Sequence, residues 1–141
     1  MARVLLDTDI LSEVLKGKNL TVLARATEHI RANGPLVISA IAVMEVVKGL
    51  HKAGREAAVE RLLGGLGQVE IIPFGTKEAA LAGRIYGDLE RSGQTIGRAD
   101  PMVAAIAIFH GLPLATGNHS HYKRIQDGGY DLALEDWRTP G

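Results

Sequence analysis

The chain has 141 residues, enough for one domain with its own core, and its composition excludes several classes of protein. Apolar residues make up 46% and charged residues 23%, which is typical of a folded soluble domain and argues against disorder. Basic and acidic side chains balance at 16 each, so the chain lacks the overall positive charge of many nucleic-acid-binding proteins. Because there is no cysteine, disulfides and thiolate metal sites are excluded, and any metal must be held by oxygen or imidazole.

No stretch of the sequence has the length of a membrane span or the pattern of an export signal. The longest apolar run, 102–109, is far shorter than the about 20 residues that cross a bilayer. The continuous apolar run before Asp7 is only three residues long, 4–6, which is no signal peptide. We therefore expect a cytoplasmic protein without a membrane partner, folded as one domain over residues 1–141.

Short apolar runs alternate with stretches of helical periodicity along the chain. The predicted strands are 4–6, 36–38, 69–72, 114–116 and about 132–134, and the predicted helices are 10–15, 20–31, 39–52, 55–66, 76–91 and 100–110. The polar stretches 92–99 and 117–131 contain no predicted element. This alternation predicts an α/β fold, with a central and mostly parallel sheet of about five strands flanked by helices on both faces.

Two of the predicted helices have informative faces. In the helix after Ser39, which is a suitable N-cap, Val43, Val46, Val47 and Leu50 form the predicted apolar face, while Ile41, Glu45, Lys48 and Lys52 lie on the other face. The helix 100–110 is almost wholly apolar, which predicts that it is buried.

Three acids lie where a parallel sheet collects its ligands, at the carboxyl ends of the strands. Asp7 ends the first strand, Glu45 lies in the second helical turn after the second strand, and Asp100 opens the buried helix that leads to the fourth strand. Clustered carboxylates repel one another, so such a group is usually neutralised by a cation. Oxygen ligands alone favour Mg²⁺, or Mn²⁺ as the alternative.

Each acid also has a structural explanation. Asp100 before Pro101 is a typical helix start, and Asp7 or Asp9 can cap the helix that follows the first strand. Glu45 is three residues before Lys48, so a weak surface ion pair is the alternative there.

Several runs taken together resemble the PIN-domain ribonucleases, specifically the VapC toxins of bacterial toxin–antitoxin pairs. The resemblance is carried by 5–13, 39–46, 96–105, 114–118 and 134–137, which span nearly the whole chain. It implies a magnesium-dependent endoribonuclease that hydrolyses RNA with metal-activated water. It also implies a VapB-like antitoxin and a homodimer.

The resemblance also implies roles for individual residues. Asp7, Glu45 and Asp100 match the acids that hold the metal in the family, either directly or, for Glu45, through water. Asn118 falls at the position of the fourth catalytic residue. Three residues have supporting roles, Asp9, Ser39 and Thr116, and two are candidate contacts to RNA, Arg98 and His121. Many relatives carry an acid before an aromatic residue where this chain has His121 before Tyr122.

Other functions remain as alternatives. A PIN-like domain that binds RNA or a partner without cleaving is the main one, because the expected fourth acid is missing. A signalling receiver domain requires an aspartate after the third strand, where this chain has Pro73, Phe74 and Gly75. A zinc site at His119 and His121 lacks a recognisable third ligand.

Overall fold

The computed structural model describes residues 2–140. Five strands and seven α-helices alternate through this part of the chain. In chain order they are β1 (Leu5–Leu6), α1 (Thr8–Lys16), α2 (Leu20–Asn33), β2 (Val37–Ser39), α3 (Ala40–Lys52), α4 (Glu56–Gly65), β3 (Glu70–Ile72), α5 (Thr76–Arg91), α6 (Asp100–Phe109), β4 (Leu114–Ala115), α7 (His119–Asp127) and β5 (Leu134–Glu135), with a 3₁₀ turn at Leu66–Gln68.

The five strands form one sheet in the order β3-β2-β1-β4-β5, and every pairing is parallel. The predicted α/β fold is confirmed, and the sheet is wholly rather than mostly parallel. The chain builds outward from β1 to β3 on one side and then returns to place β4 on the other side of β1. The strand order therefore reverses between β1 and β4, which is where open parallel sheets bind their ligands.

The apolar residues of the strands pack into two cores, one on each face of the sheet. One core includes Leu5, Val37 and Leu114 with residues of α5, α6 and α7. The other includes Leu6 and Ile38 with residues of α1, α2 and α3. Helix α6 is buried along most of its length, as predicted, although Phe109 at its end is 47% exposed. Among residues 2–140, no helix combines the length and apolarity needed to cross a bilayer.

One helix is missing from the sequence-based prediction. Residues 119–127 form α7, although seven of these nine residues are polar. Tyr122 and Ile125, three residues apart, are buried and anchor its inner face. The prediction that the stretch 117–131 contains no helix or strand is therefore wrong for α7, because two large side chains suffice to dock a helix that is polar elsewhere.

Some predicted helix faces also differ. In α2 the helical spacing predicts an apolar face made of Leu20, Leu23, Ala24 and Ile30. The buried residues are instead Val22, Ala26 and His29, and Leu20 is 78% exposed. In α3, Val46 is buried as predicted, but Ile41, which was predicted on the polar face, packs against the core that includes Leu5, Val37 and Leu114. Helix α3 contacts α6 as well as α1 and α4, so part of the face that was predicted to be polar is covered.

Candidate active site

Asp7 is fixed at the end of β1 by contacts on all sides. Its backbone is extended, and its N–H donates to the carbonyl of Ala115 on β4 at 2.9 Å. Its Oδ1 accepts from the N–H of Thr8 at 2.9 Å, so Asp7 is the N-cap of α1. Its Oδ2 accepts from the hydroxyls of Thr116 at 2.8 Å and Tyr122 at 3.1 Å. The carboxylate is therefore held in one orientation in the crevice between β1 and β4.

The pKa of Asp7 is raised from 3.8 to about 6. Burial is the main cause, because the residue is only 4% exposed, and the negative charge of Asp9 adds to it. The hydrogen bonds from Thr116, Thr8 and Tyr122 oppose the shift without cancelling it. A cation at this position would favour the charged carboxylate.

Asp100 faces Asp7 from the other side of Tyr122. It is the first helical residue of α6, whose N-cap is Ala99 with no side-chain hydrogen bond, so the helix-cap explanation of Asp100 is wrong. Its carboxylate instead meets α7. Oδ1 accepts from the hydroxyl of Tyr122 at 3.3 Å, and Oδ2 lies 3.0 Å from Nδ1 of His121.

Tyr122 links the two acids and was given no role by the sequence. Its side chain is fully buried, and its single hydroxyl lies within hydrogen-bonding distance of both Asp7 and Asp100. Burial and the two neighbouring carboxylates raise the pKa of Tyr122 well above 10, so the hydroxyl keeps its proton. The available signal was that a buried tyrosine hydroxyl normally has a hydrogen-bond partner.

Glu45 is held at the same end of the sheet by a separate contact. It is half-buried on α3, and its Oε1 accepts from the hydroxyl of Thr8 at 2.5 Å. Within residues 2–140 no ion pair joins Glu45 to Lys48. The alternative explanation of Glu45 as part of a surface ion pair is therefore wrong. Ser39 sets the start of α3, since its hydroxyl accepts from the N–H of Ala42 at 3.0 Å.

Asp9 ties α1 to the loop that follows β4. Its Oδ1 accepts from the N–H of Ile10 and its Oδ2 from the N–H of Gly117, each at 2.8 Å. Arg138 lies 3.6 Å from the same carboxylate and donates to Glu13 at 3.0 Å. A Cβ at Gly117 would overlap the Arg138 guanidinium and come within 2.7 Å of Asp9 Oδ2, so a side chain here would displace Arg138 and disturb the contact with Asp9.

The other predicted residues divide into two groups. Thr116 is fully buried and both donates to Asp7 and accepts from the N–H of Asn118 at 2.9 Å. The Asn118 side chain is exposed and makes no hydrogen bond to the three acids in the described part of the chain. Arg98 is also exposed and lines a cavity of about 410 Å³ with Tyr86. The structure thus brings together Asp7, Asp100, Thr116 and His121, keeps Glu45 nearby through Thr8, and leaves Asn118 and Arg98 outside this network.

The donor atoms suit a hard cation. The site offers carboxylate oxygens, and two of its acids share one hydroxyl partner. Between residues 2 and 140, no three His, Cys, Asp or Glu side chains stand close enough to enclose an ion without adjustment. His119 and His121 are two positions apart on α7, so their side chains leave the helix in different directions. This geometry argues against a zinc site made by that pair.

Comparison with known proteins identifies the family. The family model for the PIN domain matches residues 4–127. This chain belongs to the PIN-domain family. Ribonuclease VapC2 of Haemophilus influenzae is 30% identical to this PIN domain over 138 residues, which cover 97% of the chain and 99% of the relative. Ribonuclease VapC1 of Rickettsia felis is 33% identical over 126 residues, covering 86% and 90%.

Solved structures of VapBC proteins share the fold of this PIN domain. DNA-bound VapBC from Salmonella typhimurium matches with a TM-score of 0.81 and 28% identity, covering 97% of this chain and 99% of that one. VapBC2 from Rickettsia felis, bound to a DNA fragment from its promoter, matches with a TM-score of 0.80 and 28% identity, covering 96% and 99%. The resemblance to PIN-domain VapC proteins is therefore confirmed over nearly the whole length.

Proposed function

We propose that this PIN domain is a metal-dependent endoribonuclease, the toxin of a toxin–antitoxin pair, and that it hydrolyses RNA phosphodiester bonds. The observation that carries the proposal is the pairing of Asp7 and Asp100 across the Tyr122 hydroxyl, at the crevice where the strand order reverses. Acids are brought from two distant segments to one buried point, which a purely structural domain does not require. The ribonuclease relatives support the same reading.

Asp7 and Asp100 are the proposed metal ligands, with Glu45 contributing through water from its position beside Thr8. Mg²⁺ is the proposed ion, with Mn²⁺ as the alternative, because the donors are oxygen atoms. When bound, the ion neutralises charge on the phosphate and makes water a stronger nucleophile. Tyr122 and Thr116 orient the Asp7 carboxylate, and burial excludes competing water from it.

The remaining site residues have proposed roles in holding RNA or supporting the acids. His121, beside Asp100, and Arg98, on the exposed loop before it, are proposed contacts to phosphate. Asn118 is the proposed fourth catalytic residue. Asp9 and Ser39 are supporting residues, because they fix the loop after β4 and the start of α3.

The test is incubation of the purified protein with total RNA and Mg²⁺, followed by mapping of the new ends. Attack by water leaves a 5′-phosphate and a 3′-hydroxyl, whereas a 2′,3′-cyclic phosphate would contradict the mechanism. Asp7→Asn is the inactive control, since it removes one metal ligand with little change of shape. Cleavage retained in that variant would refute the assignment of Asp7.

The biological setting is part of the proposal. The similar solved structures are VapBC assemblies, so a VapB-like antitoxin is the proposed partner of this chain. We further propose a homodimer in the cytoplasm, built from a single domain over residues 1–141. Size-exclusion chromatography with light scattering on the free and antitoxin-bound protein tests both assemblies.

A second candidate function is a PIN-like domain that binds RNA or a partner without cleavage. It is favoured by Asn118, which replaces the expected fourth acid and lies outside the hydrogen-bond network. RNA binding without metal-dependent cleavage, over a panel of RNAs, would support this candidate and exclude the first.

A further inference from the structure

A groove of about 570 Å³ begins at the acidic site and runs between α1, α3 and α4. Thr8 and Glu45 line it at the end nearest the site. Beyond them, Lys16, Arg55 and Arg61 line the groove, together with apolar side chains that include Leu50 and Leu62. Glu45 is the only acid among the lining residues. The groove therefore changes from acidic at the catalytic end to basic farther away.

The three basic side chains of the groove are free. All three are exposed, and within residues 2–140 none of them lies within 4.0 Å of a carboxylate oxygen. By contrast, several basic side chains elsewhere are neutralised by partners, as in the pairs of Arg31 with Glu28 and Arg91 with Asp88. Arg55 precedes α4 and makes no side-chain hydrogen bond there. Their charges are available to a ligand.

The chemistry of the groove matches single-stranded RNA better than a neutral or basic ligand. Regularly spaced phosphates complement free guanidinium and ammonium groups, and arginine binds phosphate through two parallel hydrogen bonds. The apolar lining suits the faces of ribose and base. The overall charge of the chain is zero, so attraction of RNA depends on local concentrations of positive charge such as this one.

We infer that Lys16, Arg55 and Arg61 hold the phosphates of the RNA strand on the Glu45 side of the scissile bond. They are positioning residues, because they lie along the groove and not at the acids. The inference rests on the proposed ribonuclease function and adds the path of the substrate. It assigns the groove to RNA, although an acidic segment of an antitoxin would meet the same charges and is an outcome of the test.

The experiment compares Arg55→Gln/Arg61→Gln with Arg84→Gln/Arg91→Gln, a control with the same charge change on α5. RNA binding is measured on the Asp7→Asn background as a function of KCl, with a fluorescent single-stranded oligonucleotide that carries a mapped cleavage site. Each lost phosphate contact lowers the slope of log K against log salt by about 0.7, so the groove variant should lose about 1.4. Its affinity should fall about tenfold, whereas the control should change little.

Kinetics on the cleaving protein give a second readout. The groove variant should have a higher KM with little change in kcat, because the phosphate contacts stabilise the bound substrate and the transition state equally. Arg55→Lys/Arg61→Lys should restore the salt slope, since lysine keeps the charge. The four altered arginines are exposed, and Asp7→Asn is a conservative change, so we expect every variant to fold. Thermal unfolding checks this.

Three results overturn the inference while leaving the ribonuclease function intact. They are an unchanged salt slope, an unchanged KM, and loss of antitoxin binding with RNA affinity retained, which would assign the groove to the antitoxin. If the unmodified protein cleaves no RNA, the proposed ribonuclease function fails instead. In that case the salt slopes are measured with a fluorescent single-stranded oligonucleotide of mixed sequence, and they still decide whether the groove binds RNA.

Discussion

Asp7 and Asp100 are connected through one oxygen atom, the Tyr122 hydroxyl, at 3.1 Å and 3.3 Å. The two acids are 93 positions apart in the sequence, and they meet because β1 and α6 end and begin at the same side of the sheet. A neutral hydroxyl with one proton can donate to only one carboxylate at a time. The carboxylate that does not receive the proton faces the Tyr122 oxygen without a donor, and a cation between the two acids would remove that repulsion.

Tyr122→Phe should reduce cleavage while preserving the fold. The ring is fully buried and remains in place, so only the hydrogen bonds to Asp7 and Asp100 are lost. We expect kcat to fall about tenfold because the two carboxylates lose their common support, and the free energy of unfolding to change by about 1 kcal/mol. Single-turnover cleavage and urea unfolding measure the two effects.

Tyr130→Phe is the matched control, because the Tyr130 hydroxyl donates to Asp88 on α5 and lies outside the site. It should leave kcat unchanged. Equal losses of activity in the two variants would mean that Tyr122 acts only through general stability.

Asp7→Asn should stabilise the metal-free protein at neutral pH. The folded-state pKa of Asp7 is about 6, above the ordinary 3.8. A carboxyl group whose pKa is raised by folding stabilises the folded state. This stabilisation is complete below about pH 3.8 and is lost as the pH rises through about 6. Above that range the buried charge costs about 1–3 kcal/mol, which asparagine removes.

Urea unfolding in EDTA at about pH 4.5 and about pH 7.5 tests this sign. The difference between Asp7→Asn and the unmodified protein should be larger at the higher pH. Asp127→Asn serves as the control, since Asp127 is an exposed partner of Lys123. A pH-independent difference would show that burial of the Asp7 charge is not the cause.

Mg²⁺ should raise the unfolding temperature of the protein, because an ion that binds only the folded state stabilises it by mass action. At 100 times its dissociation constant the ion contributes about 2.7 kcal/mol. The effect should vanish in Asp7→Asn and in Asp100→Asn, and be reversed by EDTA. Thermal unfolding at several Mg²⁺ concentrations measures it, and an equal shift in all three proteins would indicate a non-specific effect of salt.

The position of the acids could be predicted because it depends on topology. Asp7 directly follows an apolar strand and Asp100 directly precedes an apolar helix, so their place at the rim follows once the sheet is parallel. The place of Glu45 is harder to predict from the sequence. The orientation of its side chain depends on the hydrogen bond from the Thr8 hydroxyl, and a hydroxyl group has many alternative partners.

The rest of the site depends on tertiary contacts that leave no periodic signal. Helix α7 contains only two buried residues, so its polar sequence resembles a loop, and the link from Tyr122 to the acids is invisible until that helix docks. The hydrogen bond from the Gly117 N–H to the Asp9 carboxylate joins residues that are 108 positions apart. Gly117 is one of 17 glycines in the sequence. Nothing in the sequence alone distinguishes it from the others.

A last prediction concerns His29, a buried titratable group without a hydrogen bond to the three acids in the described residues, which makes folding sensitive to pH. Its ring is fully buried against Trp137, and its Nε2 accepts from the N–H of Val4 at 3.2 Å, which requires the neutral form. Burial, and secondarily the charge of Arg3, lowers the pKa of His29 below 6.5. The unfolded chain therefore binds a proton that the folded chain resists, so stability is complete above about 6.5 and falls as the pH drops through the folded-state pKa.

His29→Gln keeps an acceptor for the Val4 N–H and removes the titration, so its unfolding free energy should decline less than that of the unmodified protein between about pH 7.5 and about pH 5. His51→Gln is the matched control, because His51 is 74% exposed and its loss should leave the decline intact. Urea unfolding at several pH values decides the question. If the His29 variant loses stability as steeply as the unmodified protein, the acid sensitivity arises at another group, of which the buried Glu78 beside His110 is the first to test.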